Sequence, residues 1–224
     1  MSVTEIASQL EALRTKEIKN GWTKKVTNGE DTFGLNLTTV QKFAKKLKTD
    51  PVLADELYSG GNHDLKVLAT YIDDPHSYTQ DELSARADQL YPSPFAEKFC
   101  EQIVAKSPFG VLFIGKWRDS NDDDLRCYAY YTLSAIATQK NKLGEEFFNG
   151  HVKAIAKTIK NEPRQVRKAM YKALLNIGCR DKYLRHQCLE AARKVGLIRL
   201  DGSSSVDLLT KLKRNTQQRK TVFA

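Results

Sequence analysis

The 224-residue sequence contains no apolar run near the roughly 18–20 residues that a bilayer-spanning helix needs. Its opening residues follow an amphipathic pattern rather than a charged segment leading into an apolar stretch, so no secretory leader is expected and the chain reads as cytoplasmic. Cysteine is sparse. Cys100, Cys127, Cys179 and Cys188 form no CxxC pair, which removes the usual zinc-ribbon and dithiol signatures and leaves buried thiols. His186 precedes Cys188 by two residues, a spacing that puts them on different faces of a helix, so no metal and no cofactor are expected. Strand-type alternation of useful length is missing as well, and every element reads as helix or loop. The C-terminal third is short of acid: residues 151–224 carry 18 Lys+Arg against 5 Asp+Glu, a balance of +13. Residues 1–150 carry 18 against 22, a balance of −4. This asymmetry points to a polyanionic partner, nucleic acid ahead of a membrane surface, against the plainer reading of a solvated cationic face.

What the chain does contain is a repeat. From Asp124 it reads D-L-R-C-Y-A-Y-Y-T-L-S-A-I-A and from Gln165 it reads Q-V-R-K-A-M-Y-K-A-L-L-N-I-G. Arg126 matches Arg167, Tyr130 matches Tyr171, Leu133 matches Leu174 and Ile136 matches Ile177, each pair 41 residues apart. That period suits HEAT- or armadillo-type paired helices, which stack because a single unit cannot bury its own apolar face. Val166, Ala169, Met170, Ala173, Leu174 and Ile177 make one continuous helical stripe with Arg167 at its edge. An all-α fold of HEAT-like or armadillo-type repeats forming an α-α superhelix follows. The expected organisation is one such domain over residues 1–200 and a basic, flexible tail over 201–224.

Other helix starts are marked locally. Ser2 with Glu5, Thr38 with Gln41, and Thr79 with Glu82 have capping-box spacing, and the first of these helices is predicted to reach about Asn20, closed by Trp22. Residues 26–36, with Asn28-Gly29 and Phe33-Gly34, read as a loop. Further helices are predicted after Pro51, over His63 to Ile72, from Ser93-Pro94, from Pro108 to about Trp117, around Val152 and Ile159, and over Asp181 to Val195.

The chain resembles the DNA alkylation repair proteins of the AlkD-like type, HEAT-like-repeat DNA glycosylases that excise cationic alkylated purines such as 3-methyladenine and 7-methylguanine. The resemblance covers residues 3–197. It is carried by Phe33-Gly34, by Leu53-Ala54 to Leu57, by H-D-L-K-V-L-A-T-Y-I-D-D-P over 63–75, by K-S-P-F over 106–109, by V-R-K-A over 166–169 and by I-G-C-R-D over 177–181. In that family a W-D-x-x-D segment supplies an aromatic that packs on the deoxyribose and an Asp that stabilises the sugar cation. Here those two positions are Ser93 and Glu97. A second sugar-packing Trp aligns with Lys172, a nearby Arg with Leu175, and Arg126 falls at a position that is basic in the family. A glycosidic transition state is oxocarbenium-like, so a fixed anion such as Glu97 is useful only at a controlled distance in a water-excluding site.

Three readings of function result. The first is a monomeric, nucleoid-associated protein that binds double-stranded DNA through a basic concave face carrying Arg126, Arg164, Arg167, Lys168 and Lys172, by phosphate contacts at helix starts. The alternative is an active alkylpurine glycosylase with Glu97 as its catalytic group, against a plain capping carboxylate. The third is a protein-interaction scaffold. For the arginines the competing structural reading pairs Arg126 with Asp122 or Asp123 and Arg167 with Glu162. Tyr128, Tyr130, Tyr131 and Tyr171 are candidates for stacking on bases, or packing residues with a wet hydroxyl.

Overall fold

The computed structural model describes residues 1–14, 29–91, 93–200 and 204–219, and the chain falls into two compact units, Met1–Phe109 and Gly110–Ala224. Among the described residues no helix is long and apolar enough to cross a membrane, and no group of three or more His, Cys, Asp or Glu side chains is placed to hold a metal ion.

The first unit is built around one buried helix. Helix α1 (Val3–Ala12) starts at the Ser2/Glu5 capping box and buries Ile6 and Leu10; its predicted extension toward Asn20 and Trp22 lies outside the described residues. Helix α2 (Leu37–Ala44) begins earlier than Thr38 predicts, because the Asn36 side chain accepts from Thr39 N at 2.9 Å and takes the N-cap. Helix α3 (Pro51–Ser59) has Asp50 as N-cap and Pro51 in its first turn. Helix α4 (His63–Ile72) packs against α2, α3 and α6, and eight of its ten residues are buried, which no solvent-facing helix would tolerate. Helix α5 (Gln80–Ala87) has the Thr79/Glu82 capping box, and α6 (Pro94–Phe99), capped by Ser93, runs into a π-helical turn over Cys100–Val104. Tyr58, Phe95 and Phe99 meet in tilted and edge contacts with centroids 5.9–6.3 Å apart.

Two carboxylates of the 63–75 motif are structural. Asp64 is fully buried, and it accepts from Thr32 Oγ1 at 2.6 Å, Phe33 N at 2.7 Å and Leu35 N at 3.3 Å. Between those two amides Gly34 takes a φ of +74°, a conformation that glycine adopts without steric cost. Burial raises the Asp64 carboxyl above the ordinary carboxylate range, although the hydrogen bonds pull the other way. Asp73 receives the hydroxyls of Tyr58 at 3.0 Å and Tyr78 at 2.6 Å, tying α3, α4 and the following loop together.

Each unit also buries a histidine. Burial pushes His63 and His151 down to about 4 from 6.5, and Lys66 and Arg118 respectively add to the effect while Glu30 and Asp119 oppose it. Both rings are therefore neutral at pH 7, and the 3.5 Å approach of His63 Nδ1 to Glu30 is not an ion pair there; Lys66 meets the Glu30 charge instead. Because the unfolded chain binds these protons near 6.5 and the folded chain only near 4, their contribution is intact above pH 6.5 and is lost as pH falls toward 4. The expected loss is about 3 kcal/mol at most per histidine. Urea midpoints measured from pH 7 to 4 should fall less in His63→Gln/His151→Gln than in the wild type; parallel curves would refute the assignment.

The second unit is a two-layer stack. Helix α7 (Gly110–Arg118) packs on α8 (Asp123–Ile136), which is capped by Asp122. Helices α9 (Glu145–Thr158), α10 (Arg164–Ile177) and α11 (Lys182–Val195) follow, α10 against α8 and α11 against α9. Contacts between α8 and α10 climb both helices together: Arg126 to Glu162, Cys127 Sγ to Gln165 O at 3.6 Å, and Asn176 Nδ2 to Ser134 Oγ at 2.8 Å. Those pairs are 36, 38 and 42 residues apart, so the helices are parallel neighbours one repeat of about 41 residues apart. Beyond the helix ends, Arg180 Nη1 donates to the carbonyls of Ala137 at 2.9 Å and Gln139 at 3.2 Å while its guanidinium lies 4.2 Å from the Phe148 ring centroid.

Within the segment read as a C-terminal tail, the described residues form regular structure. A two-residue antiparallel pair, β1 (Leu197–Ile198) and β2 (Val206–Asp207), turns the chain into helix α12 (Leu208–Arg219), which packs on α11 and α10. Leu208, Leu212 and Thr216 recur every four residues and are buried. Three buried positions on one face seat a helix whose composition is otherwise mostly polar. Cys100, Cys127 and Cys188 are buried and free, Cys179 is half-buried, and His186 is exposed, on a different face from Cys188 as its spacing requires.

Candidate nucleic-acid interface

Helix α10 is the middle member of a layer of three parallel helices. Its flanks are covered, on one side by α8 and on the other by α12, where Asn215 Nδ2 donates to Tyr171 Oη at 2.6 Å. Its back buries Val166, Ala169, Met170, Ala173, Leu174 and Ile177. Over its first turns one stripe is left to face outward, and it carries Arg164, Lys168 and Lys172 at i, i+4 and i+8 before the helix is covered from Ala173 on. Arg164 and Lys168 are exposed and Lys172 is half-buried. Arg164 Nε reaches Leu200 O at 3.3 Å, a single bond that leaves the rest of its guanidinium fork available.

Arg126 and Arg167 converge elsewhere, on Glu162. Arg126 donates through Nε to the Glu162 carboxylate at 3.0 Å, through Nη1 to Ser120 O at 2.9 Å, and pairs with Asp123 through Nη2. Burial disfavours its charge, but the two carboxylates more than offset that and raise its pKa. Arg167 donates through Nη1 to the main-chain oxygen of Glu162 at 3.0 Å. The repeat therefore does bring equivalent arginines to Glu162, where Arg126 ties α8 to the start of α10 and Arg167 braces the turn that leads into its own helix. Pairing with Asp123 was legible at i−3; the Glu162 partner, 36 residues away, was not.

The tyrosines separate by burial. Tyr128 and Tyr130 are buried and cannot stack on a ligand; Tyr131 and Tyr171 are half-buried. Lys211 Nζ lies 5.3 Å from the Tyr171 ring centroid, and the hydroxyl is taken by Asn215, so Tyr171 is a support for its neighbours. Leu175, where the resembling family has an Arg, is buried.

Ser93 and Glu97, the two positions aligned with the family's W-D-x-x-D segment, lie in the first unit. Ser93, in place of a sugar-packing aromatic, is the buried N-cap of α6 and accepts from Ala96 N at 3.2 Å. Glu97 is half-buried in the first turn of α6, where the positive end of the helix dipole favours a carboxylate whatever its role. Nearby on the same helix Lys98 pairs with Glu101. Lys211, Arg214 and Asn215 of α12 were missed as individual candidates by sequence reasoning. The spacing of Leu208, Leu212 and Thr216 is the signal that would have found them.

A family model described as DNA alkylation repair enzyme matches residues 6–201. A solved structure, described as belonging to a new family of proteins related to the HEAT-like repeat DNA glycosylases with affinity for branched DNA structures, is similar with a TM-score of 0.80 at 23% identity. The match covers 97% of this chain and 95% of that one, and it shows the all-α HEAT-like-repeat fold. No curated protein sequence matches.

Proposed function

This chain belongs to the DNA alkylation repair enzyme family, and on that premise we propose that it binds duplex DNA by phosphate contacts through the outward stripe of α10. The observation that carries this reading is Arg164, Lys168 and Lys172 aligned on the one uncovered face of a helix in the basic third of the chain. Cations spaced one helical turn apart suit a polyanion whose charges recur along a rigid backbone, and they carry no information about base identity. Arg126, engaged at the α8–α10 joint, and Arg167, engaged at the turn before α10, are left out of the proposed contact set. The related structure is described by its affinity for branched DNA; a surface that reads only backbone would serve the duplex arms of a branch as well as a linear duplex.

Base excision is the second reading, with Glu97 as its catalytic group. Against it stands the loss of both aromatic walls of the resembling family: Ser93, in the first unit, is occupied as a helix cap, and Lys172, in the second, is a cation. Without those walls water reaches the sugar, and the field of any carboxylate there is weakened. The protein is expected to release no 7-methylguanine from alkylated duplex DNA at molar excess while still retarding that DNA in a mobility shift. Release that disappears in Glu97→Gln would instead establish the enzyme. Binding of duplex that ignores salt between 50 and 200 mM, on the order of a physiological titration, would favour the protein scaffold.

A further inference from the structure

Resting on that DNA-binding reading, we infer that α12 is part of the phosphate-contacting surface, with Lys211 and Arg214 extending the α10 stripe onto the next helix. Helix α12 continues the layer: Arg164 meets Leu200 and Tyr171 meets Asn215, 36 and 44 residues on, in the ascending order that made α8 and α10 parallel neighbours. It is thus positioned as the next rung beside the stripe.

Phase decides which side chains it shows. With Leu208, Leu212 and Thr216 buried, Asn215 and Lys211 fall on the flank toward α10, Arg214 turns outward from that same flank, and Lys213 lies on the other. The contacts agree, since Asn215 and Lys211 both touch Tyr171. Tyr171 stands between the two cationic rows with its hydroxyl bonded and a ring face covered, which prevents it from acting as a platform for an unstacked base. A surface of cations around an occupied aromatic takes the backbone of a duplex in preference to a single strand. Because α12 is folded against α10 and α11, these cations are already in place and need no ordering when DNA arrives.

The test is a mobility shift with a 30-base-pair duplex over a salt series for three proteins: the wild type, Lys211→Glu/Arg214→Glu, and Lys211→Met/Arg214→Gln. The last keeps the aliphatic stems that help to seat the helix. The reversal is expected to weaken binding about 10-fold or more, and both variants should lower the slope of log affinity against log salt by about two contacts. If the neutral variant keeps the wild-type affinity and slope, α12 is outside the interface and the inference fails, although the α10 reading survives. A single strand of equal length that outcompetes the duplex overturns the backbone-only recognition. Absence of salt-sensitive binding by the wild type itself refutes the underlying reading along with this one.

Discussion

Arg164→Glu/Lys168→Glu is expected to weaken duplex DNA binding about 100-fold at physiological salt and to flatten its salt dependence. Two contacts each release roughly one counterion, so their removal lowers the salt slope by about 1.8. Reversal goes further than removal, because two carboxylates then face the phosphates on the same stripe where Lys172 remains. Stability should change little. Both side chains are exposed, and the one hydrogen bond lost, Arg164 Nε to Leu200 O, is worth about 1 kcal/mol. The readout is a pair of titrations at two salt concentrations beside a thermal melt. An unchanged affinity with an unchanged melt would remove the α10 stripe from the interface and with it the proposed mode of binding.

The second large effect concerns folding. Asp64→Ala is expected to cost the first unit about 3–5 kcal/mol. The carboxylate is fully buried, and its removal strands Thr32 Oγ1, Phe33 N and Leu35 N, which lie in a loop with no helix or strand of its own to satisfy them. Each orphaned donor costs about 1–3 kcal/mol, less whatever water can recover in the space left behind. Asp64→Asn should cost less, because its remaining oxygen still accepts while its amide faces donors. Urea denaturation followed by far-ultraviolet circular dichroism gives the comparison. A loss below about 1 kcal/mol for Asp64→Ala would show that the loop does not depend on this clamp.

These expectations rest on features that differ in how visible they were in the sequence. The 41-residue repeat was legible because helix stacking demands the same apolar phase in each rung, and α8 and α10 begin at Asp123 and Arg164, beside the two written copies. Helix starts at Ser2, Pro51, Thr79 and Ser93 were legible because capping is local chemistry. The start at Thr38 was displaced because Asn36, an equally good cap, lies two residues earlier and took the role. Helix α12 was not legible because, among its described side chains, only Leu208, Leu212 and Thr216 are buried, too little apolar content to stand out from a polar tail. In the site, the cations of α10 could be identified by type, but which of them face outward could not. Arg126 and Arg167 have the same residue type and repeat phase as a phosphate-contacting pair would have. For Arg126 the position of Glu162, 36 residues away and brought close by folding, distinguishes a joint from an interface, whereas Arg167 meets Glu162 within the turn before its own helix, a partner the sequence could offer.

The guanidinium of Arg180 has a consequence for mechanics. Apolar surfaces between parallel helices resist separation far better than they resist sliding, since a leucine slipping past its neighbour exchanges one contact for another. A cation anchored in the terminal carbonyls of the α8 segment and stacked on Phe148 behaves as a pawl at that joint, fixing the axial stagger between successive rungs. The stagger of α10 against α8 is then a property of the unliganded protein, graduated before any partner arrives.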